Sequence, residues 1–147
     1  MTQEEKDLVL QDLCARLPYG VYVQIVDRVG LTHTLVELKP EVIQKMWSYK
    51  SIKPYLRPLS SMTEEEREDF WKNVLDIDWR ELDFDEEPDE VPFPFTENYC
   101  GFYLDNFYLA YSFAVIDWLN KKMFDYRGLI EKGLAIEVTE DNNPYNN

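Results

Sequence analysis

Histidine is almost missing from this chain: His33 is the only one in 147 residues, and Cys14 and Cys100 are the only cysteines. Two Cys and one His, with no ligand pair at close spacing, argue against a zinc site, and no metal ligand is assigned. A general base needs a cleft and an orienting carboxylate. His33 instead falls on an apolar strand beside Leu31 and Leu35, which suits a half-buried structural role, and no catalytic residue is assigned. Two cysteines are too few for a disulfide scaffold. Both read as reduced, small and buried, with a single bridge as the alternative; Cys14 lies on an apolar helix face and reads as core. Glycine is scarce at five, and neither GxGxxG nor GxxxxGK[ST] occurs, so nothing supports a nucleotide and no cofactor is expected. With eight prolines, fibrous and low-complexity classes are excluded as well. Long apolar runs are lacking. The best, Phe107 to Leu119, is broken by Ser112 and Asp117 and falls short of a membrane span. The opening Met1-Thr2-Gln3-Glu4-Glu5 is acidic where a secretory signal needs positive charge. These absences lead to the expectation of a cytoplasmic protein. Bases are outnumbered, 15 against 29 acids, and the pI is near 4.4. That disfavours direct nucleic-acid binding, which needs cations to displace counterions, and adhesion to anionic membrane.

What is present is apolar and acidic in quantity. Hydrophobic residues make up 45% and aromatics 15%, too rich for a disordered chain and enough for one domain's core. Thr2 and Glu5 have capping-box spacing, followed by Leu10, Leu13, Cys14 and Leu17 on one helical face, with Pro18 and Gly20 ending the helix. Val21, Val23 and Ile25 alternate with Tyr22, Gln24 and Val26. Asp27-Arg28-Val29-Gly30 reads as a turn, and Leu31 to Leu38 resumes the alternation, which predicts an antiparallel hairpin. Glu41 to Tyr49 suits a short helix with Val42, Ile43, Met46 and Trp47 inward, after which Pro54 and Pro58 force an extended path. Thr63 and Glu66 form a second capping box, with acids in the first turn where the helix dipole favours them. A third helix is predicted from Asp105 or Asn106 to about Met123, apolar on most sides and so central. Leu134, Ile136 and Val138 alternate like a last strand. The expected fold is α+β: three main helices packed on a small, mostly antiparallel sheet. Residues 1–138 form a single domain in this scheme, with a long acidic loop at about 79–98 and a flexible polar tail at 139–147.

Charge is concentrated in Glu64 to Glu90, which holds fourteen acids against Arg67, Lys72 and Arg80, a net of −11 within a whole-chain −14. Its first part begins a helix. Its second part is broken by Pro88, Pro92 and Pro94 and is predicted to be a long loop, a setting that is commonly functional or disordered. Asp83-x-Asp85-x-Glu87 has the start of a calcium-loop pattern, but Pro88 stands where that loop needs glycine. The candidate interaction residues are therefore Asp83, Asp85, Glu86, Glu87, Asp89 and Glu90, meeting a protein with a basic surface. A basic arm, residues 39–57, precedes the block with Lys39, Lys45, Lys50, Lys53 and Arg57 against Glu41. Neutralisation of one by the other, within the molecule or across a self-associated dimer, is the alternative. Aromatics from Phe93 to Tyr108 read as core, or in part as a contact patch.

Two further stretches carry a resemblance. They are Ile52-Lys53-Pro54-Tyr55-Leu56-Arg57-Pro58-Leu59-Ser60-Ser61-Met62-Thr63-Glu64-Glu65-Glu66, and Ile116-Asp117-Trp118-Leu119-Asn120 followed by Phe124-Asp125-Tyr126-Arg127-Gly128-Leu129-Ile130-Glu131-Lys132-Gly133-Leu134-Ala135. Together they resemble a family of small uncharacterised proteins of gut bacteria, often found in prophage and phage-like regions. The resemblance implies a mobile-element setting and an intracellular protein, and carries over no activity or site residue. Read from its own chemistry, Asp125-Tyr126-Arg127-Gly128 is a structural latch, with a ligand-binding turn using Tyr126 and Arg127 as the alternative. The leading expectation is a non-catalytic accessory protein acting through protein–protein contact. Its rivals are an acidic DNA mimic that inhibits a nucleic-acid-binding protein, and a small-ligand binder or enzyme with a pocket near Tyr126 and Arg127.

Overall fold

Thr2 and Glu5 form the capping box that their spacing predicts. The Thr2 hydroxyl accepts from the Glu5 N–H at 3.1 Å, and the Glu5 carboxylate accepts from the Thr2 N–H at 2.9 Å. These bonds hold the Glu5 carboxyl below its ordinary pKa. They open helix α1, Gln3–Arg16, in a computed structural model that describes residues 1–81, 89–92 and 109–145. The fold is α+β, with a five-stranded mixed sheet and four α-helices among the described residues. None of those helices is long and apolar enough to cross a membrane. The chain divides into two compact units, Met1–Leu59 with Leu119–Asn147, and Ser60–Trp118.

In the first unit, the buried face of α1 is rotated from the expected one. Val9, Asp12, Leu13 and Arg16 are buried, while Cys14 is a free, exposed thiol. The cause is a buried ion-pair network: Arg16 pairs with Asp12 at i,i+4 and Arg127 joins the same carboxylate, so two charged residues occupy the inner stripe and Cys14 turns outward. Strands β1 (Tyr22–Val26) and β2 (His33–Glu37) form the predicted antiparallel hairpin. Its turn is fixed by Asp27, whose carboxylate accepts from the N–H groups of Gly30 at 2.7 Å and Leu31 at 3.0 Å. Gly30 sits at φ 77°, a left-handed conformation that glycine takes without a Cβ clash. A side-chain bond from Thr32, with these backbone N–H groups, holds the Asp27 carboxyl below its ordinary pKa.

Helix α2, Pro40–Gln44, is shorter than expected and passes into a 3-10 turn at Met46–Ser48. Met46 is buried there, but Trp47 is 47% exposed and not inward. Strand β3, Ser51–Pro58, lies between β1 on one side and two short parallel partners on the other: β4 (Phe124–Asp125) and β5 (Ile136–Glu137). The sheet is thus mixed, its longer ladders antiparallel and its short ones parallel. Proline inside an inner strand is unusual because it donates no hydrogen bond. Pro54 is tolerated because it pairs with Val23 on one side, while the pairing on the other side begins at Tyr55. Val9, Leu13, Val21, Val23, Ile52 and Leu56 anchor the core of this unit, joined by Met123, Leu129 and Leu134. Residues 139–145 do not form a free tail. The Tyr145 hydroxyl donates to the Tyr55 carbonyl at 2.8 Å and accepts from the Tyr22 N–H at 3.1 Å, because the ring reaches back and packs edge-on against Tyr22.

The second unit opens on Thr63, whose capping box with Glu66 closes at 3.1 and 3.0 Å and starts α3, Glu64–Asp69. The helix continues as a π-helical turn over Phe70–Val74, with Phe70 and Trp71 buried. Helix α4, Leu109–Lys121, contains the boundary between the two units. The expectation that this helix, apolar on most sides, is central and buried is corrected: Phe113 is 72% exposed and Ile116 39%, while Val115, Trp118 and Leu119 are buried.

Candidate functional site

Charge divides between the two units without remainder. The first unit holds twelve acids and twelve bases and is formally neutral; the second holds seventeen acids and three bases and carries the whole −14. Two of those three bases are engaged within the unit. Arg67 donates to the carbonyls of Val91 at 2.9 Å and Met62 at 3.0 Å, and it pairs with Glu90 at 3.6 Å. Arg80 pairs with Glu68 at 3.3 Å and Asp78 at 3.7 Å and lies over the Trp79 ring. The Trp79 indole N–H also donates to Glu68 at 3.0 Å. That bond first, and Arg80 second, keep the Glu68 carboxyl below its ordinary pKa. Asp69 accepts from the Trp118 indole at 2.9 Å. Glu64, Glu65, Asp76, Asp78, Glu81, Asp89 and Glu90 remain exposed. Glu68, Asp76 and Asp78 line a depression of about 350 Å³ together with Lys72, Ile77 and Arg80, and Arg80 already pairs with two of its three carboxylates.

Of the candidate interaction residues, Asp89 and Glu90 are exposed within this unit. Asp83, Asp85, Glu86 and Glu87 lie outside the described residues, as does the aromatic run from Phe93 to Tyr108. Among the described residues, no cluster of three or more His, Cys, Asp or Glu side chains is placed to hold a metal ion. His33 is exposed on β2, not half-buried as expected, because β2 has no strand beyond it among the described residues.

The turn at Tyr126 and Arg127 sits in a polar network of the first unit. Arg127 reaches Asp12 at 2.7 Å across 115 residues of sequence, and Arg16 holds the same carboxylate through Nε at 3.0 Å. Arg16 also donates to the Phe124 carbonyl at 2.6 Å. Both guanidinium groups lie near the Tyr126 ring, 5.2 Å and 4.6 Å from its centre. The Tyr126 hydroxyl donates to Asn120 at 2.8 Å. Asp125 accepts from the N–H groups of Leu129 at 3.0 Å and Ile130 at 2.9 Å, which fixes the turn that follows. Asp12 and Arg16 were missed as members of this cluster. Their i,i+4 spacing was a signal, but it is indistinguishable in sequence from a surface pair.

A third feature is the side of β2 that has no partner strand among the described residues. Leu35 is 51% exposed there, and Leu31 and Val29 in the preceding turn are 81% and 74% exposed. Exposed edge strands template pairing with another strand. No protein-family model, curated protein or solved structure matches this chain.

Proposed function

We propose that this chain is a non-catalytic accessory protein that works through protein–protein contact, presenting its acidic second unit to a basic surface of its partner. The partition of charge carries this reading: one unit is neutral, and the other holds seventeen acids with two of its three bases engaged internally. Such a field steers a cationic partner from a distance and tightens the encounter at low salt. The mobile-element setting implied by the sequence resemblance fits a small protein that acts on another protein. The test is affinity capture followed by reconstitution with the purified partner. Converting Asp76, Asp78, Glu81, Asp89 and Glu90 to their amides is expected to weaken binding by about tenfold or more and to flatten its salt dependence. A second set, Asp83, Asp85, Glu86 and Glu87, measures the share of that segment. Unchanged affinity in both variants overturns the proposal. Competition by duplex DNA for the same partner would identify the DNA-mimic form of it.

Self-association is the second reading, and the sequence of β2 favours it. Two copies paired antiparallel about Leu35 would set Leu35 against Leu35 and His33 against Glu37 of the other copy, twice over. His33, Leu35 and Glu37 share one face by the two-residue period of a strand.

A further inference from the structure

The backbone of β2 dictates how a second copy would pair with it. Leu38 donates its N–H to the Val21 carbonyl at 2.8 Å, and Asp27 donates its N–H to the Thr32 carbonyl at 3.2 Å. These bonds fall one step beyond the two ends of the β1–β2 register, Tyr22 opposite Glu37 and Val26 opposite His33. Hydrogen-bonded and non-hydrogen-bonded pairs alternate along an antiparallel ladder. Thr34 and Val36 therefore turn their N–H and C=O groups towards β1. His33, Leu35 and Glu37 turn theirs to the other side, where no strand is paired among the described residues. All three are exposed.

Three outward residues admit few registers. Centring two antiparallel copies on Leu35 sets Leu35 opposite Leu35 and His33 opposite Glu37, so every outward group meets a partner and each pair exchanges both N–H···O bonds. Centring them on His33 brings Leu31 opposite Leu35, but the Leu31 N–H already donates to the Asp27 carboxylate at 3.0 Å. Centring them on Glu37 sets like charges face to face and brings Lys39 opposite Leu35. The Lys39 carbonyl already accepts from the N–H groups of Val42 at 3.0 Å and Ile43 at 3.3 Å. The registers between these leave His33 or Glu37 without an outward partner. The Asp27 turn and the start of α2 thus act as stops at the two ends of the edge, where a short exposed strand would otherwise slip.

Building on the self-association reading, we propose that two copies join β2 to β2 in one continuous antiparallel sheet, with the two-fold axis through a hydrogen-bonded Leu35 pair. Main-chain bonds supply the attraction at such an edge, and the side chains select the partner. Here they select the same chain: His33 meets Glu37 of the other copy at both ends of the pairing. Glu37 also holds Lys39 at 2.9 Å, and the two oxygens of a carboxylate have acceptor sites for both. The exposed Leu31 comes level with Lys39 of the other copy, whose methylene stem covers apolar surface while its ammonium stays in water.

Amide hydrogen exchange on the full chain, at concentrations from about 0.02 to about 1 mM, reads the two sides of β2 separately. The Thr34 and Val36 amides, bonded to β1, are expected to be protected throughout. The His33, Leu35 and Glu37 amides are expected to gain about tenfold or more protection as the concentration rises. In a mixture of isotope-labelled and unlabelled chains, the same register brings Thr34 Hα beside Val36 Hα of the other copy, as a close non-hydrogen-bonded pair. An intermolecular NOE between those two protons is expected. A chain that sediments as a monomer at about 1 mM overturns the self-association reading, and this register with it. A dimer whose His33, Leu35 and Glu37 amides stay unprotected, or whose intermolecular NOEs join other residues, leaves self-association standing and overturns the register.

Discussion

Asp12 and Arg16 are the most consequential single residues in the first unit. Both are fully buried, and a buried charge left without its partner costs far more than the pair contributes. Asp12→Ala is therefore expected to destabilise by about 3–5 kcal/mol in urea unfolding, because it strands two guanidinium groups. Adding Arg16→Met should recover part of the loss, since an apolar side chain of similar length needs no partner. A loss below about 1 kcal/mol in Asp12→Ala would show that the network is not held by its carboxylate. Tyr145 supplies a pH-dependent counterpart. Burial first of all pushes its hydroxyl up to about 12, from an ordinary value of 10.0. Between those values the folded protein keeps a proton that the unfolded chain has released. The stabilisation is thus complete below pH 10 and is lost as pH rises through about 12, at up to about 1.4 kcal/mol per pH unit. Urea midpoints across that window should fall more steeply for the wild type than for Tyr145→Phe. Identical slopes would place the loss on other groups.

At the scale of elements, β2 carries the test of the proposed self-association. If two copies join about Leu35, Leu35→Asp sets two like charges face to face at the symmetry axis. Sedimentation equilibrium should show a wild-type dimer and about tenfold or greater weakening in the variant. A wild-type chain that stays monomeric at high concentration ends that reading. The elements themselves were legible to different degrees. Both capping boxes and the β1–β2 hairpin were readable, because Thr2, Thr63 and the Asp27–Gly30 turn act through bonds a few residues apart. Strand β3 was readable only as extended chain, since Pro54 argues locally against an inner strand and only the staggered start of β5 resolves the conflict. The inner face of α1 was misplaced for the same kind of reason. Asp12 is at home inside only because Arg127, 115 residues away, shares its carboxylate with Arg16. Trp47 is expected inside on a helix that runs to Tyr49, but that helix ends at Gln44 and Trp47 is 47% exposed; hydrophobicity does not say which face finds a neighbour.

At the scale of the molecule, the linear acidic block understated the asymmetry. Glu64 to Glu90 accounts for −11, but the unit it belongs to extends from Ser60 to Trp118 and carries all −14. The boundary that makes the first unit neutral is set by tertiary packing and has no mark in the sequence. Self-repulsion among like charges opposes compactness and is screened by salt. With seventeen acids against three bases, repulsion outweighs the few exposed ion pairs, each worth about 1 kcal/mol or less. Raising sodium chloride from about 0.02 to about 0.3 M, which shortens the screening length severalfold, should therefore stabilise the second unit and leave the first nearly unchanged. Amide hydrogen exchange reads both units at once. Protection of Phe70, Trp71 and Leu75, in the buried turn after α3, should rise with salt by several-fold. Protection of Val23, Ile52 and Leu56, in the inner strands of the neutral unit, should not. Tryptophan fluorescence offers a second measure in W47F, whose remaining indoles, Trp71, Trp79 and Trp118, all belong to the acidic unit. Equal salt effects on both units, or none on either, would mean that the acids are too far apart or too well paired to repel. The same finding would weaken the case for a field strong enough to draw in a basic partner.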